Sequence, residues 1–197
     1  MVSGDYRELP LGELFERTAE AETPAPGGGS IAALTAGMAA ALVAMVARSS
    51  RGSWTDAGVV AAQAIELAGR CPALARGDAD AWEQVFAAMQ EVNVGRDGTD
   101  GVELADLLRI SADLPVTIAE IGADVAVLAA LAARLGDGNL RADATSAAVL
   151  AQAATRVAAH LVTVNLAMRD GDERLARVSS AEWRAGQAVA EALAAGP

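Results

Sequence analysis

The sequence predicts an all-α protein, an up-and-down bundle of long, partly kinked helices that forms one domain over residues 1–197. Three observations carry this. Hydrophobic residues make up 53% of the chain but aromatic ones only 3%, so the core must be built from Ala, Leu and Val. Such side chains let helices approach closely, whereas a sheet would draw on more β-branched and aromatic residues. Apolar positions also recur at three- and four-residue spacing in one segment after another. Finally, no internal repeat or low-complexity linker divides the chain, and its length suits a single sizeable core.

From about Leu9 to Ala21, Leu11, Leu14, Phe15 and Thr18 share one helical face opposite Glu13, Glu16, Arg17 and Glu20, which predicts a first helix packed at the surface. Then comes Pro24-Ala25-Pro26-Gly27-Gly28-Gly29-Ser30. The prolines stiffen the approach, and the glycines allow backbone angles and close contacts that a side chain would forbid. Ser30 stands where an N-cap is wanted, before a helix over Ile31 to Val46. The bare N–H groups of that first turn favour an anion or a polarised ligand oxygen. In the helix, Ala33, Gly37 and Ala41 form one small-residue ladder and Ala36, Ala40 and Ala44 another, both suited to close helix packing. A Gly-rich loop joining two core helices explains the same residues without a ligand.

Thr55 or Asp56 can cap a third helix through Val59, Val60, Ile65 and Leu67, with Pro72 as its kink or stop. Asp78 or Asp80 then reads as the cap of a new helix carrying Trp82 and Phe86. Thr99 or Asp100 opens a helix that runs through Leu104, Leu107, Leu108 and Ile110, kinks near Pro115 and continues to about Leu135. After Gly136 to Asn139 another long helix begins near Asp143 and ends at Leu161 to Leu166, with His160 inside it. The last, Asp172 to Leu193, is amphipathic, its Arg and Glu residues suited to a solvated outer face. Trp183 is expected to anchor it to the core or to a partner subunit.

Charge and rare residues narrow the function classes. Arginine supplies all 15 basic residues against 26 acidic ones, for a formal charge of -11, a field that repels nucleic acid and anionic membranes. Lysine is absent, which removes Schiff-base chemistry and the Lys of a Walker-type phosphate loop. Cys71 stands alone, so no internal disulfide forms, and it reads as a small buried side chain; a single His argues against a His-rich metal site. No metal is expected. Met1 to Glu8 carries acids and no apolar run, unlike a secretory signal, and a cytoplasmic protein is the expectation. Ile31 to Ala47 is uncharged for about the length of the shortest membrane-spanning helices. Its Ala content makes it a buried helix instead.

Thr23 to Leu34, followed by an Ala/Gly helix ending in Met45-Val46-Ala47, resembles the opening signature of the formiminotransferase-cyclodeaminase family. That family comprises the formiminotetrahydrofolate cyclodeaminase domain and the stand-alone methenyltetrahydrofolate cyclohydrolases similar to it. Further on, Asp80 and Trp82 match its Asp-Ala-aromatic element, Asn139 and Asp143 match a run at the start of a long helix, and Asn165 matches the end of that helix. The chain departs from the pattern at three places. Glu91 to Gly98 replaces a Leu-Pro-Lys segment, where Arg96 could supply the charge of the Lys but not its proton chemistry. Ala142 stands for a Ser and Leu161 for an Asn.

The resemblance implies a homodimer of all-helical subunits that acts on the one-carbon bridge between N5 and N10 of a tetrahydrofolate, with no cofactor beyond that substrate. The activity would be a cyclodeaminase (ammonia-lyase) or a cyclohydrolase. Asp80 and Asp143 are the carboxylates assigned to acid/base work or to stabilising the cationic carbon, with His160 as the candidate acid. Pro26, Gly27, Gly28, Gly29 and Ser30 would hold the substrate together with Arg48, Asn139 and Asn165, in a pocket near the subunit interface. Two alternatives stay open: a catalytically divergent folate-binding or substrate-shifted family member, and a non-enzymatic helical assembly module.

Overall fold

A computed structural model describes residues 6–20, 26–93, 100–166 and 171–196. They form seven helices and, among the described residues, no strand: α1 (Leu11–Ala19), α2 (Gly28–Ser49), α3 (Ala57–Asn93), α4 (Asp100–Ser111), α5 (Asp113–Leu135), α6 (Arg141–Asn165) and α7 (Glu173–Ala194). A 3-10 turn at Gly138–Leu140 precedes α6. Pro24, Arg96 and the cap expected at Thr99 lie outside the described residues.

Alanine builds the core as the composition requires. Ala33, Ala36, Ala40 and Ala44 of α2 are buried, and α2 packs chiefly on α3 and α6 while α5 packs on α6 and α7. Two glycines set how closely the helices approach. A Cβ on Gly37 would stand 3.0 Å from Cys71 Cβ, and one on Gly122 would stand 2.4 Å from Thr155 Oγ1. Each Ala buries little area, so cohesion comes from backbones brought close enough for many weak contacts. Cys71 is buried, and burial pushes its thiol up to about 11. Ala41, expected on a packing ladder, is exposed.

Pro72 does not stop its helix. α3 runs unbroken through it, because the buried residues on either side, Ala64 and Cys71 before and Ala75, Ala79 and Val85 after, hold the segment to the bundle despite one missing backbone bond. Asp78 and Asp80 therefore lie in mid-helix and cap nothing of their own. The expected kink farther on is a junction: α4 ends at Ser111, α5 begins at Asp113, and Pro115 sits in the first turn of α5, where its absent N–H costs no helical bond.

At the ends of the chain, α1 buries no residue and leaves Leu11 and Phe15 open. The charged residues of α7 do more than face solvent. Arg177 pairs with Glu120 and Arg184 with Asp124, which ties α7 to α5. Trp183 is 66% exposed and so does not anchor α7 to the core. By length and composition, Gly28–Ser49, Leu104–Leu135 and Gly138–Asn165 are each apolar enough to cross a membrane; here much of each is packed inside the bundle.

Candidate functional site

A cavity of about 200 Å³ opens at the end of the bundle where α2 begins and α6 finishes. Gly27, Gly28 and Gly29 form one wall, Asp78, Ala81 and Trp82 of α3 a second, and Ser111, Pro115, Leu161 and Asn165 the rest. Among the described lining residues only Asp78 carries a charge.

The glycines serve space more than unusual backbone angles. Gly27 is extended with φ -95, α2 already begins at Gly28, and the positive-φ glycines among the described residues are Gly171 and Gly196. A Cβ on Gly29, however, would stand 2.2 Å from Asp78 Oδ1. The carboxylate lies directly on the glycine backbone.

Ser30 is the third residue of α2, not its N-cap, and it is completely buried. Its Oγ lies 2.9 Å from the Ala75 carbonyl and 3.1 Å from Asp78 Oδ2, and its backbone N–H also donates to the Asp78 carboxylate. Gly27 has no side chain to cap α2, so Asp78 reaches across from α3 to satisfy one of the free amides of that first turn. Burial nevertheless wins over these bonds and pushes the Asp78 carboxyl above the ordinary range of an aspartate. Opposite, Asn165 Nδ2 donates to Ser111 Oγ at 3.2 Å, while Ser111 donates to the Leu108 carbonyl at 2.9 Å. The end of α4 is thereby linked to the last turn of α6.

The residues singled out from the sequence fall into three places. Gly27, Gly28, Gly29 and Asn165 line the cavity, with Ser30 directly behind and Pro26 buried at its edge. Asp80 does not line it: one helical step past Ala79, its carboxylate is exposed and bound to Arg76 at 3.1 Å. His160 is also exposed and lies along a different groove with Arg156 and Glu182.

Arg48, Asn139 and Asp143 belong to the opposite end of the bundle. Arg48 closes α2 some 30 Å from Gly28, and Asp143 stands about 27 Å along α6 from Leu161, at 1.5 Å per residue. Asn139 sits in the 3-10 turn, its N–H donating to Asp137, and the Asp137 N–H donates to Ser50 at the end of α2. Asp80 and Asp143 are therefore not brought together within one chain.

Asp78 and Ser111 are the site residues that sequence reasoning missed. A signal for Asp78 existed. It follows Ala75 by three positions and precedes Trp82 by four, so it shares their helical face, whereas Asp80 falls off it. Ser111 has no comparable mark, since it enters the pocket only because the chain breaks at the α4–α5 junction.

Comparison with known proteins adds two findings. A family model described as formiminotransferase-cyclodeaminase matches residues 10–184. Among solved structures, the formiminotetrahydrofolate cyclodeaminase of Thermotoga maritima is similar at a TM-score of 0.83 and 24% identity, over 96% of each chain. That likeness bears on the all-helical fold. No curated protein matches the chain.

Proposed function

The chain belongs to the formiminotransferase-cyclodeaminase family, and from that premise we propose that its pocket receives the one-carbon end of a tetrahydrofolate and moves protons there through Asp78. The observation that carries this is the charge pattern of the cavity: one partly buried carboxylate in a wall otherwise made of glycine backbone, neutral polar groups and apolar side chains. Such a wall suits a cationic or proton-donating carbon–nitrogen centre and repels a phosphate.

Both candidate reactions fit these groups. In the deaminase direction N10 attacks the formimino carbon and ammonia leaves, so one group must take the N10 proton and another must protonate the departing nitrogen. In the hydrolase direction water adds to the cationic methenyl carbon and the ring opens to a formyl group. Burial inclines Asp78 to hold a proton, and a cation arriving beside it inclines it to release one. A carboxyl poised between those states can carry a proton either way. Trp82 offers a flat face to the pterin. Deamination is the reading we place first. No step requires a cofactor beyond the folate.

A cavity of about 200 Å³ is smaller than the roughly 300–1,000 Å³ usual for small-molecule sites, so it takes the reacting end of the substrate and not the whole of it. A second copy of the chain would supply the remainder. α2 and α6 pack on each other and leave Met38, Met45, Val149, Leu150, Val157 and Val164 exposed, apolar material for a dimer face. Asp143 reaches this pocket only from such a partner, given its distance along α6.

Leu161 in the pocket wall favours a second reading, a family member shifted toward a less polar cyclic amidine. Formimino- and methenyl-tetrahydrofolate assayed side by side separate the two. Appearance of the methenyl chromophore from the first means deamination, and its loss from the second means hydrolysis. Thermal stabilisation by both with no turnover favours the shifted substrate, and neither binding nor turnover would overturn the folate assignment.

A further inference from the structure

We propose that Arg174 is a positioning residue for the pocket: it clamps the break between α4 and α5, and so holds Ser111 where its hydroxyl fixes the amide of Asn165. The inference deepens the proposed function, and its kinetic part rests on a folate occupying that pocket.

Arg174 stands in the first turn of α7, outside the cavity lining, with 11% of its side chain exposed. All three guanidinium nitrogens are engaged. Nε and Nη2 donate to the two carboxylate oxygens of Asp172, at 2.9 and 2.7 Å, and the same Asp172 caps α7 by accepting from the Arg174 backbone N–H. That fork ties the guanidinium to its own helix end and aims the remaining nitrogen. Nη1 donates to the Arg109 carbonyl and to Asp113 Oδ1, both at 2.7 Å.

Arg109 belongs to the last turn of α4 and Asp113 opens α5, so one nitrogen spans the break. The last carbonyls of a helix lack an intrahelical partner. At the end of α4, Arg174 takes the Arg109 carbonyl, and Ser111 Oγ takes the neighbouring one, of Leu108, at 2.9 Å. Ser111 lies between the two residues that Nη1 grips. Its one proton is committed to Leu108, so toward Asn165 it can only accept. Asn165 therefore turns Nδ2 to Ser111, at 3.2 Å, which sets the sense of its amide in the cavity wall. An amide held in that sense keeps its carbonyl oxygen for the N–H groups of a ligand. Loosening the junction frees it to flip. The other ties between α7 and α5, Arg177 to Glu120 and Arg184 to Asp124, lie farther along both helices.

The test is made on the full chain as wild type, Arg174→Lys, Ser111→Ala and the double variant. Lys keeps the charge, but its single nitrogen cannot both fork onto Asp172 and bridge the break. Hydrogen exchange of the Asn165 side-chain amide, followed by ¹⁵N NMR, is expected to quicken about fivefold in Arg174→Lys, the loss of roughly one hydrogen bond. In the Ser111→Ala background the same change is expected to add nothing. Arg177→Lys, which loosens α7 from α5 elsewhere, is expected to leave the amide as it is. Should Arg174→Lys fail to fold by circular dichroism, Asp113→Ala removes one of the two partners of Nη1 and carries the same expectation. On whichever folate is turned over, Arg174→Lys is expected to raise KM about tenfold with kcat within about threefold, as binding common to ground and transition states is lost. An unmoved amide, an equal response in Arg177→Lys, or kcat falling at constant KM would overturn the proposal. A chain inert toward both folates that still gives the expected exchange would sink the folate assignment and leave the role of Arg174 standing.

Discussion

Gly29 and Asp78 occupy one space: a Cβ on the glycine would lie 2.2 Å from Oδ1 and 2.5 Å from Cγ of the aspartate. Both partners are fixed, Gly29 by the first turn of α2 and Asp78 by mid-helix α3, so a side chain at 29 must push the carboxylate out of the pocket. Gly29→Ala should leave the helix content unchanged by circular dichroism, since Ala favours helix by about 1 kcal/mol over Gly. Turnover should fall by about 100-fold, the cost of misplacing a reacting group by an ångström. Turnover within a few-fold of wild type would mean that Asp78 does not act from its observed position.

Asp78 also caps the start of α2 from outside, which gives it a structural role beside the proposed catalytic one, and Asp78→Asn separates them. The amide still accepts from Ser30 but cannot carry a proton, so turnover should fall by about 10²–10⁴-fold with folate binding retained. Stability should move the other way. The folded-state carboxyl sits above its unfolded value, so the folded chain binds that proton more tightly. The resulting stability is full at low pH and is lost as pH rises through the folded value. At pH 7 wild type holds a partly buried charge that Asn lacks. The variant should therefore melt higher than wild type at pH 7, with the gap closing below the ordinary carboxylate range. A lower melting point at every pH would show that capping outweighs desolvation.

The all-helical fold was legible because Ala-rich periodicity has one physical outlet, the close packing of helices. Helix starts were harder. Ser30 looked like a cap because a hydroxyl beside glycines fits one, yet the role went to a carboxylate 48 positions later, a partner that local rules cannot see. Asp80 looked catalytic because Asp80-Ala81-Trp82 matches the family's Asp-Ala-aromatic element, on a helix expected to start near Asp78. Once burial carries α3 through the proline, face periodicity selects Asp78 instead. The far placement of Arg48 and Asp143 followed from helix length alone and was readable in advance, had rise per residue been applied to the proposed site.

Gly122 sets the closeness of α5 and α6, and its effect should appear in stability alone. A Cβ there would meet Thr155 Oγ1 at 2.4 Å and the Ala151 carbonyl at 3.0 Å, and Thr155 cannot turn aside without losing its own bond to Ala151. Overpacking of this kind costs about 1–3 kcal/mol, more than the helix preference of Ala returns. Gly122→Ala should lower Tm, by about 2–4 °C for each net kcal/mol. Gly58→Ala, in the first turn of α3 with nothing within 4 Å, should be neutral or raise it.

Asp143 provides the sharpest test of assembly. Some 27 Å of α6 separates it from the pocket of its own chain, so any part it plays there requires a symmetric partner laid across the α2–α6 face. Asp78→Asn and Asp143→Asn would then each be inactive alone, because every site in either homodimer lacks one carboxylate. In a mixed dimer the two losses fall in the same site, and the other site receives wild-type Asp78 from one chain and wild-type Asp143 from its partner. Unfolding and refolding the two variants together at equal concentration should restore about a quarter of the wild-type sites, since half the dimers are mixed and each has one intact site. Light scattering on the same samples reports whether dimers form at all. Dimers without recovered activity would confine the chemistry to Asp78 and the groups of one chain, and would return Asp143 to the ordinary part of an acidic residue in the first turn of a helix.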